Sequence, residues 1–479
     1  MLKAREAERI ADPLQRCLAF PDVPGNRWPA NHAAAHCRHH HAIKRSTLAE
    51  IGELVNRGEI AQLERLFDES LRRHFSEVDF GDDIHDTFNY LLTRGGEDID
   101  QLTASWLKQA PGSAYANLAR GAYFNGAAWK ARGGKFSSET PDRNLRLMSE
   151  LVEQAIPYFD KAISINPKLM PAYTGMIDMG MLDSRPDLEA RGMRGAEKID
   201  AACPELANVH MRAISPRWGG SYEEMLAYAN QLSTYLDRRP QLAVHVGAPY
   251  ADRGDRLIAA DQYTRQAAEM LEVAIKAGSD EDALRDAANV AINSKEGDPD
   301  RWKGLAYLLQ EERFRETNAW GKRMIAWELV QPEPEWSLRF SQRAVDLDAD
   351  NGLGHYLLAA GYYNTKQYEQ ADRHYRIALE DRSQRPAALR ELSTMWLFDS
   401  GLKGKAAADK ARPFIDRLNK EYPDDGAGWI MQLNLRIATH DPIDDELLKT
   451  VLKTADRENP WQANAVKKIE EMRRRMGAK

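Results

Sequence analysis

The 479-residue sequence has few cysteines, no excess of basic residues and no long apolar run. Its three cysteines, Cys17, Cys37 and Cys203, are odd in number and far apart, which argues against a disulfide framework and favours a reducing compartment. A formal net charge of −7 is unlike the basic surface that nucleic-acid binding requires. No uncharged apolar stretch approaches the roughly 18 residues that span a membrane. We therefore expect a cytoplasmic protein without a nucleic-acid partner or a membrane span.

Residues 1–45 lack the periodicity of a helix or a strand, and they contain five histidines and several prolines. A translation start assigned too far upstream would explain this composition. The true start, and an export signal with it, would then be misrepresented, so an exported protein is the alternative expectation.

The chain does contain an internal repeat of about 34 residues, which is the period of the tetratricopeptide (TPR) unit. In residues 352–383 small and aromatic residues occupy five positions of that unit, namely Ala359, Tyr362, Ala371, Tyr375 and Ala378. Small residues let the two helices of a unit approach closely, and aromatic residues fill the space between units. The pattern predicts an all-α fold of TPR-like helix–turn–helix repeats, arranged as a solenoid.

Weaker matches to the same unit lie elsewhere in the chain. Residues 155–167 fit a second helix whose first helix is predicted at 114–132, where the small position falls on Gly121. An inserted loop, residues 133–141, separates the two helices. Trp429 stands at the fourth position of a further unit near the C-terminus.

The repeat register is lost between about residues 236 and 330, although helical spacing continues there. We therefore predict that the solenoid is irregular in its middle. The predicted regions are an irregular segment at 1–45, a helical region at 46–240, a helical connector at 241–330 and C-terminal repeats at 331–479.

Two motifs in the first half carry a more specific resemblance. Their residues are Trp106, Arg120, Gly121, Trp129, Arg132 and Gly133 in the first motif, and Arg217, Trp218, Gly219, Gly220 and Ser221 in the second. Together they resemble a bacterial domain-of-unknown-function family of the DUF4034 type, over roughly residues 46–240. The resemblance implies a helical bacterial protein and supplies no activity.

The second motif has the features of an anion site, because two glycines free backbone amides beside Arg217 at a predicted helix start. Ser221 and Glu224, however, form the capping-box pattern that satisfies donors at such a start. We expect capping, with ligand binding as the alternative.

The loop after Arg132 is glycine-rich but lacks the glycine and hydroxyl spacing of a phosphate-binding P-loop. Gly133 is predicted to end the preceding helix. The loop itself is a plausible contact point, because loops that project from a rigid array often carry function.

Histidine clusters raise the question of a metal site. His32, His36 and His40 are spaced by four residues and would share one helical face, beside Cys37 and His41. Because this segment has no apolar face to hold a helix in place, we expect no metal there.

A second group, Asp82, Asp83, His85 and Asp86, also has ligand-type side chains. Acidic residues are favourable at the N-terminus of a helix, and without a second group of ligands we expect them to cap a helix. The sequence therefore predicts no metal and no cofactor.

The leading functional hypothesis is a non-enzymatic scaffold that binds a peptide or protein partner on the concave face of the first helices. The residues expected on that face are Tyr115, Leu118, Leu353, Tyr356, Tyr363 and Ile430. No catalytic residue is predicted, and the oligomeric state is left open.

Two alternatives remain. One is an accessory or immunity-type protein that binds one cognate bacterial partner. The other is an anion-binding or small-ligand-binding module, or an enzyme, in which Arg120, Arg132 and Arg217 converge on one pocket.

Overall fold

The computed structural model describes residues 2–41, 45–76, 83–296 and 298–477. Every regular element in this part of the chain is helical, so the all-α prediction is confirmed. The chain divides into two compact units, Met1–Glu316 and Thr317–Lys479. None of the described helices is long and apolar enough to cross a membrane.

The N-terminal unit begins with short helices and continues with longer ones. Its α-helices are α1 (Leu2–Ala7), α2 (Pro13–Ala19), α3 (His32–His41), α4 (Leu48–Asn56), α5 (Ile60–Ser76), α6 (Asp83–His85), α7 (Glu97–Gln109), α8 (Ala114–Arg132), α9 (Asp142–Ile165), α10 (Met170–Leu182), α11 (Pro186–Asp200), α12 (Pro204–Ala213), α13 (Tyr222–Ser233), α14 (Ala243–Ala259), α15 (Arg265–Ala277), α16 (Glu281–Ile292) and α17 (Arg301–Phe314). A π-helical turn, Asp86–Leu91, follows α6 and runs into the 3₁₀ turn Leu92–Arg94.

From α8 onward most helices of this unit pack in consecutive pairs: α8 with α9, α10 with α11, α14 with α15, and α16 with α17. The first helices also contact one another, α8 with α10 and α10 with α12. Pairs that pack on the next pair along the chain form a helical-repeat solenoid.

Phe159 of α9 explains the small residues on two neighbouring helices. A Cβ atom added to Gly121 would lie 3.0 Å from the Phe159 ring, and one added to Gly175 would lie 2.7 Å from it. Phe159 is fully surrounded by protein. Because only glycine leaves room for the ring, α8, α9 and α10 close around one aromatic side chain.

Capping residues set the limits of α8. The Ser113 hydroxyl accepts a hydrogen bond from the Ala116 amide at 3.1 Å, which starts the helix. Gly133, with φ at 73°, ends it. Residues 133–141 then separate α8 from α9 and contain the 3₁₀ turn Ser137–Glu139.

The prediction of an irregular segment at 1–45 is wrong for most of its length, because this stretch forms α1, α2 and α3. The argument against a disulfide is also wrong, since Cys17 and Cys37 are bonded to each other. Both cysteines pack against Phe314. Such short helices have no long apolar face, so the sequence shows no helical periodicity there. The disulfide stabilises this segment in addition to its few apolar contacts.

This N-terminal segment packs on the later helices of its own unit. Trp28 Nε1 donates to the Ile275 carbonyl at 2.8 Å, and Arg313 Nε donates to the Cys17 carbonyl at 2.9 Å. His32 is also buried there, with one ring nitrogen 2.7 Å from the Pro240 carbonyl. A buried histidine thus stands where a search for helical periodicity expects an apolar residue.

The C-terminal unit contains α18 (Ala319–Leu329), α19 (Pro334–Leu347), α20 (Gly352–Asn364), α21 (Tyr368–Ala378), α22 (Arg385–Thr394), α23 (Gly404–Glu421), α24 (Gly426–Thr439), α25 (Asp445–Thr454) and α26 (Pro460–Gly477). A π-helical turn, Met395–Asp399, follows α22. Ala359, Ala371, Tyr375 and Ala378 are all fully buried between α20 and its neighbours, which confirms the repeat positions.

Candidate functional site

Elements of the N-terminal unit enclose a cavity of about 290 Å³, which we call the Trp129 pocket. The π-helical turn Asp86–Leu91 and the helices α8, α10 and α12 provide its walls. Its lining residues are Asn89, Tyr90, Thr93, Asn125, Trp129, Thr174, Gly175, Asp178, Glu205, Val209 and Arg212. Because α8 and α10 are the first helices of consecutive pairs, the pocket lies on the face that first helices share.

Asp178 organises one wall of the Trp129 pocket. Its Oδ2 accepts hydrogen bonds from Asn125 Nδ2 at 2.9 Å and from Trp129 Nε1 at 2.7 Å, and its Oδ1 pairs with Arg212. The Arg212 guanidinium also lies 5.6 Å from the Trp129 ring centroid. A buried carboxylate therefore fixes the orientation of the amide, the indole and the arginine.

A second carboxylate, Glu205 of α12, lines the same pocket. It accepts hydrogen bonds from Tyr90 Oη at 2.9 Å and from Asn208 Nδ2 at 3.4 Å. Burial raises the pKa of Glu205 to about 7, against the opposing effects of these hydrogen bonds and of Arg212. Because Arg212 already pairs with Asp178, Glu205 is the carboxylate of this pocket that a cationic group could pair with, beside the Tyr90 and Trp129 rings.

The C-terminal unit has a cavity of about 500 Å³, which we call the Trp461 groove. Helices α22, α24 and α26 and the π-helical turn Met395–Asp399 provide its walls. Its lining residues are Arg390, Glu391, Thr394, Phe398, Ala427, Met431, Asn459, Trp461 and Gln462. Successive contacts of α22 with α24 and of α24 with α26 form this surface.

Glu391 is the distinctive group of the Trp461 groove. Burial raises its pKa against the opposing effect of the Arg390 charge, and among the described residues no hydrogen bond or ion pair engages its carboxylate. The adjacent Arg390 pairs instead with Asp425 at 2.6 Å. Phe398 is 40% exposed and Trp461 44% exposed beside it. A carboxylate next to exposed aromatic rings is suited to a lysine or arginine side chain.

Both cavities are lined by a π-helical turn. Asn89 and Tyr90 belong to the turn Asp86–Leu91, and Phe398 belongs to the turn Met395–Asp399. An i→i+5 turn moves side chains out of the regular helical register, and such turns occur frequently at functional sites. Each unit therefore carries a pocket that a π-helical turn helps to line.

Residues 47–210 match the family described as Domain of unknown function (DUF4034). The matched stretch includes most of the Trp129 pocket. We call the matched residues the DUF4034 region. Arg212 lies just beyond the matched residues but shares the pocket with them.

No curated protein sequence matches the chain. Among solved structures, YrrB, described as a TPR protein with an unusual peptide-binding site, is 18% identical, with a TM-score of 0.33 over 38% of this chain and 88% of its own. The TPR domain of P58(IPK) is 11% identical, with a TM-score of 0.27 over 85% of this chain and 99% of its own.

The predicted partner-binding residues fall into two groups. Leu118 of the DUF4034 region and Ile430 are buried, so their side chains belong to the core. Tyr115 is also buried and donates a hydrogen bond to Asp68 at 2.7 Å. Leu353, Tyr356 and Tyr363 are half-buried on α20.

The charge of Glu391 affects the pKa values of Tyr356 and Tyr363. Burial first, and the Glu391 charge second, raise the pKa of Tyr356. Burial and a hydrogen bond to Asp399 raise the pKa of Tyr363, with a smaller effect of Glu391. Both phenols stay protonated, and neither tyrosine is among the lining residues of the Trp461 groove.

Most motif residues of the DUF4034 region have structural contacts. Trp106 is buried, with its ring stacked 6.0 Å from Phe67. Trp218 contacts Trp129 edge-to-face at 5.4 Å, just outside the matched stretch. Trp129 is the motif residue that reaches a pocket.

The second motif caps a helix, as the sequence predicts. The Ser221 hydroxyl accepts from the Glu224 amide at 3.2 Å and donates to the Glu224 carboxylate at 2.9 Å. Gly219 has φ at 97°, a conformation that favours glycine. A Cβ atom on Gly220 would lie 2.1 Å from the Ile214 carbonyl oxygen, so this position has no room for a side chain.

The three motif arginines do not all meet. Arg120 pairs with Asp100, and its guanidinium lies 4.5 Å from the Phe124 ring centroid. Arg132 donates to the Lys135 carbonyl at 2.9 Å and Arg217 to the Gly134 carbonyl at 3.4 Å. Arg132 and Arg217 therefore hold the 133–141 loop, and Arg120 serves a separate contact.

The histidine-rich helix α3 brings two of its three four-spaced histidines together. His36 Nε2 and His40 Nε2 each lie 2.7 Å from the same Glu281 oxygen, and His32 instead contacts Ser279. Cys37 is in the disulfide, and one ring nitrogen of His41 lies 3.0 Å from the Arg313 carbonyl. One glutamate, supplied by α16, thus joins two of the four-spaced histidines.

The acidic group near His85 divides. Asp82 lies outside the described residues, Asp83 accepts from Ser46, and Asp86 pairs with Arg45. His85 is buried and lies 3.6 Å, measured from its Nε2, from the Cys203 sulfur. The two aspartates thus tie the start of α4 to this turn, and His85 points elsewhere.

The sequence reasoning missed Asp178, Glu205, Glu391, Phe398 and Trp461. A usable indication existed for the groove, because Ala427 follows Glu391 by 36 residues and Trp461 follows Ala427 by 34. Positions one repeat apart on successive first helices become neighbours. The repeat period does not indicate Phe398, because the π-helical turn moves this residue out of the regular helical register.

Proposed function

We propose that the protein is a non-enzymatic helical-repeat scaffold that binds a basic segment of a protein partner on its first-helix face. Glu391 in the Trp461 groove is the observation that carries this proposal. Its carboxylate is desolvated, has no bonded cation among the described residues and stands beside Phe398 and Trp461. A partner lysine or arginine would supply the charge and stack on the rings.

The Trp129 pocket offers the same chemistry in the other unit. Asp178 and Glu205 line it together with Tyr90 and Trp129. Glu205 has a raised pKa because its burial outweighs the hydrogen bonds from Tyr90 and Asn208 and the charge of Arg212. An incoming cation would favour the charged carboxylate, so each unit would contribute one basic-residue subsite.

The formal net charge of −7 supports a basic partner as well, because long-range attraction speeds the encounter of opposite charges. An accessory or immunity-type protein with one cognate partner is a specific form of this function. The genes beside the coding sequence would identify such a partner.

One arrangement of side chains resembles the catalytic residues of an enzyme. Cys203, His85 and Asn89 follow one another at 3.6 Å and 3.3 Å, in the order thiol, imidazole, amide. Cys203 is fully buried and is not among the lining residues of the Trp129 pocket. A nucleophile needs access to its substrate, so these residues support a structural role instead.

Selection from a random peptide library against the full-length chain tests the proposal. We expect enriched peptides to carry lysine or arginine beside apolar residues. Glu391→Gln should weaken their binding, measured by fluorescence anisotropy, by roughly 10- to 100-fold, since a hydrogen bond to a charged group contributes about 1.5–3 kcal/mol.

Glu369→Gln is the matched control, because Glu369 is an exposed carboxylate on α21 that pairs with Lys410 at 2.8 Å, outside the groove lining. It should leave peptide affinity unchanged, whereas Trp461→Ala should weaken it. Enrichment of acidic peptides, or equal affinity of the Glu391→Gln variant and the wild type, would refute the proposed recognition.

A further inference from the structure

Three side chains with metal-binding atoms meet in the interior of the N-terminal unit. His74 comes from α5, His85 from α6, and Cys203 is the N-cap residue of α12. One ring nitrogen of each histidine and the Cys203 sulfur all lie within 4.8 Å of one another. All three side chains are buried. Three separate elements thus direct nitrogen and sulfur ligands to one place.

The spacing of these atoms is close to that of a tetrahedral zinc site. Zinc lies about 2.3 Å from sulfur and about 2.0–2.1 Å from nitrogen, which places S and N ligands about 3.6 Å apart at the tetrahedral angle. Cys203 Sγ and His85 Nε2 are 3.6 Å apart. The third ligand atom lies within 4.8 Å, so it needs to move by only about 1 Å to reach the same ion.

Polar groups lie beside both imidazole rings. Asn89 Nδ2 lies 3.3 Å from His85 Nδ1, and Asp200 Oδ2 lies 3.3 Å from His74 Nε2. Asp200 in turn pairs with Arg238 at 2.9 Å. Asn89 thus lies on the second ring nitrogen of His85, where metal-bound histidines commonly have a partner. A metal-bound His85 would carry its proton on Nδ1, so the Asn89 amide, whose Nδ2 donates to Thr174 at 2.8 Å, would have to turn its oxygen toward His85.

The geometry points to a zinc-binding site formed by His74, His85 and Cys203, with a fourth position for water. A thiolate is the form of cysteine that binds zinc, and the N-terminus of α12 favours negative charge on Cys203. Binding therefore releases the thiol proton to solvent. The ion would join α5, α6 and α12 behind the Trp129 pocket, whose lining residue Asn89 contacts His85.

Metal loading of the full-length chain tests this site. After removal of metals by a chelator, the protein is dialysed against Zn²⁺ or Co²⁺ and its metal content measured by elemental mass spectrometry. We expect one ion per chain. The Co²⁺ form should show the near-ultraviolet charge-transfer band of a cobalt–thiolate bond and the intense visible bands of tetrahedral coordination.

Substitutions then assign the ligands. Cys203→Ser should abolish the charge-transfer band, and His85→Gln should weaken Zn²⁺ binding at least tenfold. His36→Gln is the control for the second cluster, His36, His40 and Glu281, whose ligand atoms also lie close enough to hold an ion. It should leave the cobalt–thiolate band unchanged. Far-ultraviolet circular dichroism confirms that each variant is folded.

Three results would overturn the site. These are wild-type protein that takes up no Zn²⁺ or Co²⁺, bound Co²⁺ without a thiolate band, and metal content that falls in the His36→Gln variant but not in the Cys203→Ser variant. The wild-type cobalt spectrum alone tests the thiolate ligand, so the inference stays open to refutation even when a variant does not fold.

Discussion

Replacing Gly126 with alanine would test how closely the Trp129 pocket is held together. A Cβ atom on Gly126 would lie 1.9 Å from the carbonyl oxygen of Thr93. Thr93 belongs to the 3₁₀ turn Leu92–Arg94, which follows the π-helical turn that carries Asn89 and Tyr90. The obstacle is main chain, so no side-chain rotation relieves it. Alanine must therefore push this turn away from α8.

Two opposing effects set the magnitude. Alanine is favoured over glycine inside a helix by about 1 kcal/mol. Overpacking costs about 1–3 kcal/mol, and an obstruction by backbone should take the upper end of that range. We expect a net loss of about 2 kcal/mol in the free energy of unfolding for Gly126→Ala. This is the opposite sign to that given by helix propensity alone.

Gly52 of α4 offers the matched control, because a Cβ atom there would have nothing within 4 Å. Gly52→Ala should stabilise α4 by about 0.5–1 kcal/mol. Hydrogen exchange of the full-length variants, followed by mass spectrometry, measures both effects through the protection of α8 and α4. Unchanged or increased protection of α8 in Gly126→Ala would show that the close contact with Thr93 does not hold the turn.

Three further predictions concern buried groups. Asp178→Ala leaves the Asn125 amide and the Trp129 indole without their acceptor, so it should lower the free energy of unfolding by roughly 2–5 kcal/mol in urea denaturation. Asp178→Asn should cost less. An effect no larger than that of the exposed Asp187→Ala would contradict this prediction. The pKa of Glu205 rises from 4.5 to about 7 on folding, so its stabilising contribution is complete below about pH 4.5 and is lost as the pH rises through 7. Between pH 5 and 8 the free energy of unfolding of the wild type should therefore fall by up to about 3 kcal/mol more than that of Glu205→Gln. Thermal unfolding across this range measures the difference. Parallel pH profiles of the two proteins would exclude the raised pKa. Joint replacement of Cys17 and Cys37 by alanine removes a disulfide between residues 20 apart and should lower the free energy of unfolding by about 3 kcal/mol. Hydrogen exchange in α2 and α3 should become faster. Unchanged exchange would refute this prediction.

The repeat was predictable because its determinants are local. Ala359, Ala371 and Ala378 are small for the same reason wherever the unit recurs, and the structure buries each of them completely. Gly121 follows the same rule, since its missing side chain makes room for Phe159. A pattern that depends on the contact of two adjacent helices can be recognised from about 34 residues.

The N-terminal segment was not predictable by the same means. Its packing depends on partners more than 200 residues away, such as Ile275 for Trp28 and Glu281 for His36. Its buried side chains include His32 and Cys37, which a search for apolar periodicity does not count. Long-range contacts and polar core residues therefore hid three helices and a disulfide.

The pockets lie between these two cases, because the repeat period relates some of their residues and an insertion hides others. Arg212 follows Asp178 by 34 residues, so these two charges occupy equivalent places on α10 and α12 and form an ion pair. Asp178 follows Trp129 by 49 residues, since the 133–141 loop and the long α9 intervene. The indole nonetheless donates to Asp178 at 2.7 Å. Applying the period to charged and aromatic residues, with allowance for the insertion, would connect the DUF4034 motif to its pocket.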